Sequence, residues 1–523
     1  METSPVRDPR QPPRQAVVLI HGIGEQRPME TLRGFVASLL AKGSFHSKPD
    51  LISGSYELRR LKLRRVAPDG KGHPGLNGAW PETDFFEYYW AHQMHGTRAS
   101  HVRRWLLNLL GSGRHFVWHR HGYPRLHALA VCAWGMVLVP VLLAAAVYWG
   151  LGPGPWLSDP VKWVGAAGGA LALVLFALRT TFNSLLDVVG DAARYFDVQP
   201  QNVARRHDIL RGGVDVLRHL HDLHERQGDD VMYRYGRIVL VGHSLGSVIA
   251  YDILRHYWAQ VNGQLPVARS SVAEVESFDP HNNRACFDGA KPYHRRRRFR
   301  EAQHRLWQAI SARVPAGVNL PLDELWHADV ALRRGLHDDA GRDARPLGRP
   351  PQWLPSRWLV SDLVTLGSPL AHAPVLLAGG LRDLDRKRRR RELPTCPPDR
   401  SRHLAPGRFT VALSAELQGP YDYPILHHGA HFAMTRWTNF WFPGDPVGGP
   451  LRRPFGYGIH DERLPDGGRW PWSHTRYWAH RRRGCVPLLR HMLCNPAWPD
   501  ACDGGPAPAA AVTSAPAAAP PPT

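Results

Sequence analysis

Apolar residues fall along this chain in short unbroken runs separated by stretches of helical spacing. Ala16 to Ile20 is such a run, ends at His21-Gly22-Ile23-Gly24, and predicts a buried strand. A helix is expected from about Met29 to Leu40, and strands over Ser55 to Val66, with period-two alternation, and over the aromatic Asp84 to Trp90. Leu185 to about Glu225 has helical periodicity with many charges. Arg237 to Val241 reads as a central strand followed by a helix over Ser247 to Trp258, and Trp358 to Leu366 as another strand running into Gly367-Ser368-Pro369. Strand, loop and helix in repeated order predict an α/β class with a mostly parallel central sheet flanked by helices.

Two apolar stretches do not fit that sheet. His127 to Leu151 has no formally charged residue and, at ~1.5 Å rise per residue, is long enough to cross a ~30 Å hydrocarbon core. Trp163 to Leu178 is also uncharged but shorter, and the Gly152 to Pro160 loop between them leaves room only for a hairpin. Arg103, Arg104, Arg114, Arg120 and Arg125 precede the pair, and Arg179 and Arg194 follow it. This bias places both flanks in the cytoplasm, while Tyr148, Trp149, Trp156 and Trp163 suit the far interface. A two-helix transmembrane hairpin over residues 126–180 is therefore expected, in an inner or cytoplasmic membrane.

Composition changes the picture at the margins. With 47 Pro and 49 Gly, the chain is expected to carry loops and tails around its core. The expected organisation is a disordered N-terminus (1–14), core segments over 15–125, 181–261 and 355–500, an insertion or lid over 262–354, and a disordered Ala/Pro tail over 501–523. Arg382 to about Arg408 reads as a basic, Pro-containing loop. The net charge of +21, with runs at Arg295 to Arg298 and Arg386 to Arg391, favours an anionic partner. A lipid surface is expected rather than nucleic acid, because no recognition element accompanies the arginines. Cys132, Cys286, Cys396, Cys485, Cys494 and Cys502 form no CxxC pair, so neither a disulfide framework nor a metal is expected, and no cofactor is implied. Met1 to Arg14 lacks the apolar core of a signal peptide.

The chemistry centres on Gly242-His243-Ser244-Leu245-Gly246. Glycines at 242 and 246 permit a sharp strand-to-helix turn that exposes Ser244 as a nucleophile. A serine hydroxyl also needs a base and an oxyanion hole. The Leu245 amide follows the nucleophile directly, and Ile23 or Gly24 is the candidate second donor. For the acid and base, chain order directs the search beyond Trp358. Asp445 follows the aromatic run Trp437 to Phe442 in a turn fixed by Gly444 and Pro446, and His474 lies about thirty residues on. Asp362, Asp422 and Asp461 are alternative acids and His431 an alternative base; His431 also completes His427-His428-Gly429-Ala430-His431, which lacks the carboxylates of a metal site.

Together, His21 to Gly24, the Gly242 to Gly246 pentapeptide, Val364 to Pro369, Asp445-Pro446-Val447 and Ser473-His474-Thr475 resemble lipase-like serine esterases of the α/β-hydrolase superfamily. The similarity is to the branch of lipases and glycosylphosphatidylinositol inositol-deacylase-like proteins, over the first strand, Arg237 to Tyr257 and Trp358 to Trp478. It implies hydrolysis of an acyl ester, with a lipid-like substrate, through an acyl-enzyme at Ser244, Asp445 and His474. Acyl transfer or thioester cleavage on the same triad, and a non-catalytic membrane scaffold of the same fold, are the alternatives.

Overall fold

The computed structural model describes residues 14–22, 27–40, 45–50, 52, 57–64, 80–93, 195–196, 199–227, 230–262, 300–308, 358–398, 426–445, 447–465, 472–478 and 484–494. Its centre is an eight-stranded sheet in the order β10-β9-β8-β7-β1-β4-β3-β2. The strands are β1 (Arg14–Ile20), β2 (Phe45–Pro49), β3 (Arg59–Leu63), β4 (Thr83–Tyr88), β7 (Tyr235–His243), β8 (Val360–Leu366), β9 (Arg436–Trp441) and β10 (His460–Arg463). All neighbours from β10 to β4 pair in parallel, and β3 and β2 extend the sheet antiparallel at one edge. A separate hairpin joins β5 (His224–Gln227) to β6 (Asp230–Tyr233).

The unbroken apolar runs occupy the middle of this sheet because both of its faces are covered. Side chains alternate across β1: Ala16, Val18 and Ile20 enter one apolar layer, Val17 and Leu19 the other. The first layer contains Ile209 and Leu217 of helix α2 (Pro200–Asp222) and Val248 and Ile249 of α3 (Leu245–Val261). The second contains Leu32, Phe35 and Val36 of α1 (Glu30–Leu39) and Leu489 and Leu493 of the C-terminal helix Val486–Cys494. Each of the buried Val, Leu and Ile side chains of β1 contributes about 1.5–3 kcal/mol over exposure. The result is a three-layer α/β fold with a mostly parallel sheet, as the periodicity predicts.

Two local expectations are corrected, and three elements appear that the periodicity does not predict. Residues 381–389, read as part of a basic loop, form the helix Leu381–Arg389. Asp383 pairs with Arg386, and Asp385 with Arg389, at helical spacing, the cations fill the last turn, and Leu384 is buried beneath them. The strand expected over Ser55 to Val66 is shorter and pairs with β2, an exposed strand without an apolar pattern. At the opposite edge, β10 was equally silent in sequence. Within the 262–354 insertion, a helical stretch at 300–308 belongs to the core through Ala302, Leu306 and Trp307.

The expected membrane hairpin of residues 126–180 lies outside the described residues, as do the 501–523 tail and Arg295 to Arg298. Of the N-terminal 1–14, expected to be disordered, Arg14 instead opens β1, and 1–13 lie outside the described residues. Among the described residues no helix is long and apolar enough to cross a membrane.

Candidate active site

Parallel strands leave their carboxyl ends along one edge of the sheet, where open α/β folds collect functional loops. At this edge β7 passes through Ser244 directly into α3. Ser244 has φ 51° and ψ −129°, a conformation that a serine adopts only under constraint. Its N–H donates to the Leu366 carbonyl at 2.9 Å. The flanking glycines follow from close approach: a Cβ on Gly242 would lie 2.4 Å from the Ser247 Cα, and one on Gly246 would lie 2.2 Å from the Ile20 carbonyl oxygen. Ser247 Oγ is 2.6 Å from both the Ser244 carbonyl oxygen and Ser368 Oγ, and the Leu370 N–H donates to Ser368. This chain of hydroxyls ties the turn to the loop after β8.

Residues far apart in sequence converge on the Ser244 hydroxyl. His474, in a helical turn at Trp472–Thr475 beyond β10, places Nε2 2.9 Å from Ser244 Oγ. Its Nδ1–H donates to the Asp445 carboxylate, 3.0 Å from each oxygen. That leaves Nε2 as the acceptor of the serine proton. Asp445, beyond β9, also accepts the Tyr477 hydroxyl at 2.6 Å and the Val447 N–H at 2.8 Å. Burial opposes its ionisation, but the hydrogen bonds from His474 and Tyr477 outweigh it and hold the carboxyl well below the usual carboxylate range. The loop after β8 makes room for this group: Gly367 has φ 58°, and a Cβ there would sit 2.6 Å from the Tyr477 ring and 2.9 Å from Asp445 Oδ2.

Leu245 opens α3, so its amide belongs to the first turn, where backbone N–H groups have no intrahelical acceptor. Gly22 packs on Ser244 from the side of β1: a Cβ on it would lie 2.9 Å from the Ser244 Cβ. Ile23 and Gly24, the two candidates for the second oxyanion donor, lie outside the described residues. His21, just before them, donates Nδ1–H to the Gly22 carbonyl, and burial lowers its pKa to about 4, so it stays neutral.

The alternative residues are placed elsewhere. Asp362 sits near the amino end of β8, between Arg237 and Arg436. Asp461 accepts the Leu451 and Arg452 N–H groups and the Asn439 amide, and so holds the turn before Arg452. His431 is buried beside Trp258, near the far end of α3, and burial lowers its pKa well below the ordinary value. Asp422 lies outside the described residues. Among the described residues no three His, Cys, Asp or Glu side chains gather as metal ligands. Sequence reasoning gave no role to Tyr477, Ser247, Ser368 or Gly367, although Gly367 and Ser368 stand in a motif it singled out.

Comparison with protein-family models, curated proteins and solved structures finds no match to this chain.

Proposed function

We propose that the chain is a serine hydrolase of the α/β-hydrolase type that cleaves an acyl ester through an acyl-enzyme. The observation that carries this reading is the continuous relay Ser244 Oγ, His474, Asp445, with separations of 2.9 and 3.0 Å, at a constrained strand-to-helix turn. Its chain order of Ser, Asp, His is that of nucleophile-elbow hydrolases.

In this reaction Ser244 Oγ attacks the ester carbonyl as His474 Nε2 takes its proton. Asp445 holds the Nδ1–H tautomer and stabilises the imidazolium that forms. The tetrahedral oxyanion is met by the Leu245 N–H and by a donor from the loop beginning at Gly22. His474 then returns the proton to the leaving alcohol, and water hydrolyses the acyl-serine by the same route in reverse roles. Two sequence features support a substrate drawn from a membrane: the uncharged stretch His127 to Leu151, and basic runs suited to anionic headgroups. On this reading residues 126–180 anchor the enzyme with its hydrolytic part on the cytoplasmic side.

Ser244→Ala is expected to lower ester turnover on the order of 10⁶-fold and to remove labelling by a fluorophosphonate probe. Labelling that persists in this variant at another serine sinks the assignment.

A further inference from the structure

We propose that His243 is a positioning residue that tethers the base to the nucleophile strand, by donating its Nε2–H to the backbone carbonyl of His474. This rests on the reading of His474 as the base of the reaction.

The donor and acceptor are 2.9 Å apart, and only the ring nitrogen carries a proton, so the direction of the bond is fixed. The two imidazoles also stack, with centroids 5.1 Å apart and an interplanar angle of 30°. Trp478 and Tyr477 close on the His243 ring edgewise, at 4.9 and 5.9 Å. The opposite ring nitrogen faces the loop after β1: a Cβ on Gly22 would lie 3.2 Å from Nδ1. His243 therefore touches the base and the start of the oxyanion loop, and its own carbonyl carbon is bonded to the Ser244 nitrogen.

Such a tether answers a specific need. His474 is carried by a turn of four residues, Trp472–Thr475, that belongs to no strand of the sheet. Asp445 fixes the rotation of the imidazole, and Tyr477, three residues on, is held by Asp445 and the Phe442 N–H, but neither contact bears on the backbone of His474 itself. A displacement of about 1 Å at a catalytic group costs on the order of 10²-fold in rate. The bond from His243 acts on that backbone, joining the His474 carbonyl to the end of β7. Desolvation, with the neighbouring His474, lowers the pKa of His243 to about 3, so the ring stays neutral and the same nitrogen keeps its proton throughout any ordinary assay range.

The test compares His243→Gln with His243→Met in the full chain, by the rate constant for fluorophosphonate inactivation of Ser244 from pH 6 to 9. Gln carries an N–H at the reach of the imidazole Nε2; Met has the length without the donor. The tether predicts a loss of about 10 to 100-fold for Met, substantial recovery for Gln, and an unchanged pH profile for Gln. Equal rates in wild type and His243→Met overturn the tether while leaving the hydrolase reading intact. Equal losses in both variants, or failure of both to fold, overturn it in favour of ring packing. A wild type that does not label at all removes the base, and the tether with it.

Discussion

The two ends of one parallel sheet each bury an aspartate, and they use it in opposite ways. At the amino end, Asp362 lies between Arg237 and Arg436, at 2.6 and 2.9 Å, and accepts the Ser361 hydroxyl. Arg237 continues to Gln15 Oε1 and to the Met492 carbonyl, so this one cluster joins β1, β7, β8, β9 and the C-terminal helix. A guanidinium offers hydrogen-bond donors and no acceptor, so the arginines of this cluster have no site that could take up a proton. At the carboxyl end, Asp445 meets an imidazole and a phenol instead. Burial disfavours the charge of both aspartates, and specific partners restore it in both. The difference lies in those partners: arginines make a fixed clasp, whereas a histidine makes a relay.

Exchanging each carboxylate for an amide separates the two roles. Asp445→Asn keeps the volume but no longer selects the Nδ1–H tautomer of His474. Inactivation by the fluorophosphonate probe is expected to slow by about 10³ to 10⁴-fold, with a smaller loss of stability than in Asp362→Asn, because no buried guanidinium is left without its counter-charge. Asp362→Asn leaves two buried guanidinium groups without their counter-charge, and stability should fall by about 3–5 kcal/mol in urea denaturation. Where the Asp362→Asn protein is folded, Ser244 should label at the wild-type rate. Slow labelling of folded Asp362→Asn, or a destabilised but fully reactive Asp445→Asn, would break the division between clasp and relay.

Much of this was legible in the chain, for physical reasons that also mark where legibility ends. Ser244 stands out because its constraint is local: a strand, two glycines and a helix are contiguous in sequence. Asp445 and His474 could be chosen from chain order and turn chemistry, since Gly444 and Pro446 flank the acid. Asp362 remained a rival because an aspartate inside a strand carries no sign of its neighbours. Arg237 is 125 residues from it and Arg436 is 74 away. Tyr477 and the Ser247–Ser368 pair were missed for the same reason, because each acts on a partner remote in sequence and leaves no periodicity. The edge strands β2 and β10 were silent since only buried faces impose alternation. The helix Leu381–Arg389 was misread because its dense charge hides a single buried apolar residue, Leu384, which makes no stripe to read.

A third buried carboxylate, Glu87 of β4, sharpens the contrast between the ends. It stands at the carboxyl edge, 1% exposed, and accepts the Met29 N–H at 2.6 Å at the far side of the loop that begins with Gly22. Its other oxygen has no hydrogen-bond partner among the described residues. Burial raises its pKa to about 7, against the weaker pull of the Met29 N–H and Arg33. The folded protein thus keeps this proton between pH 4.5 and 7, where the unfolded chain has lost it. Stability from Glu87 is full below pH 4.5 and declines as pH rises through 7, by about 3 kcal/mol in all. Asp362 runs the other way: its folded pKa lies below 3.8, so its contribution is complete above that value and constant across this window. Buried neutral His21 and His243, whose pKa values are lowered, pull stability the opposite way in every variant alike, so the readout is the difference from wild type. Between pH 4.5 and 8 the urea midpoint of Glu87→Gln, whose amide cannot ionise, should gain on wild type as pH rises, whereas that of Asp362→Asn should keep a constant offset. Parallel curves for wild type and Glu87→Gln would show that Glu87 is held as firmly as Asp362, and that the carboxyl edge tolerates a fixed charge beside its loop.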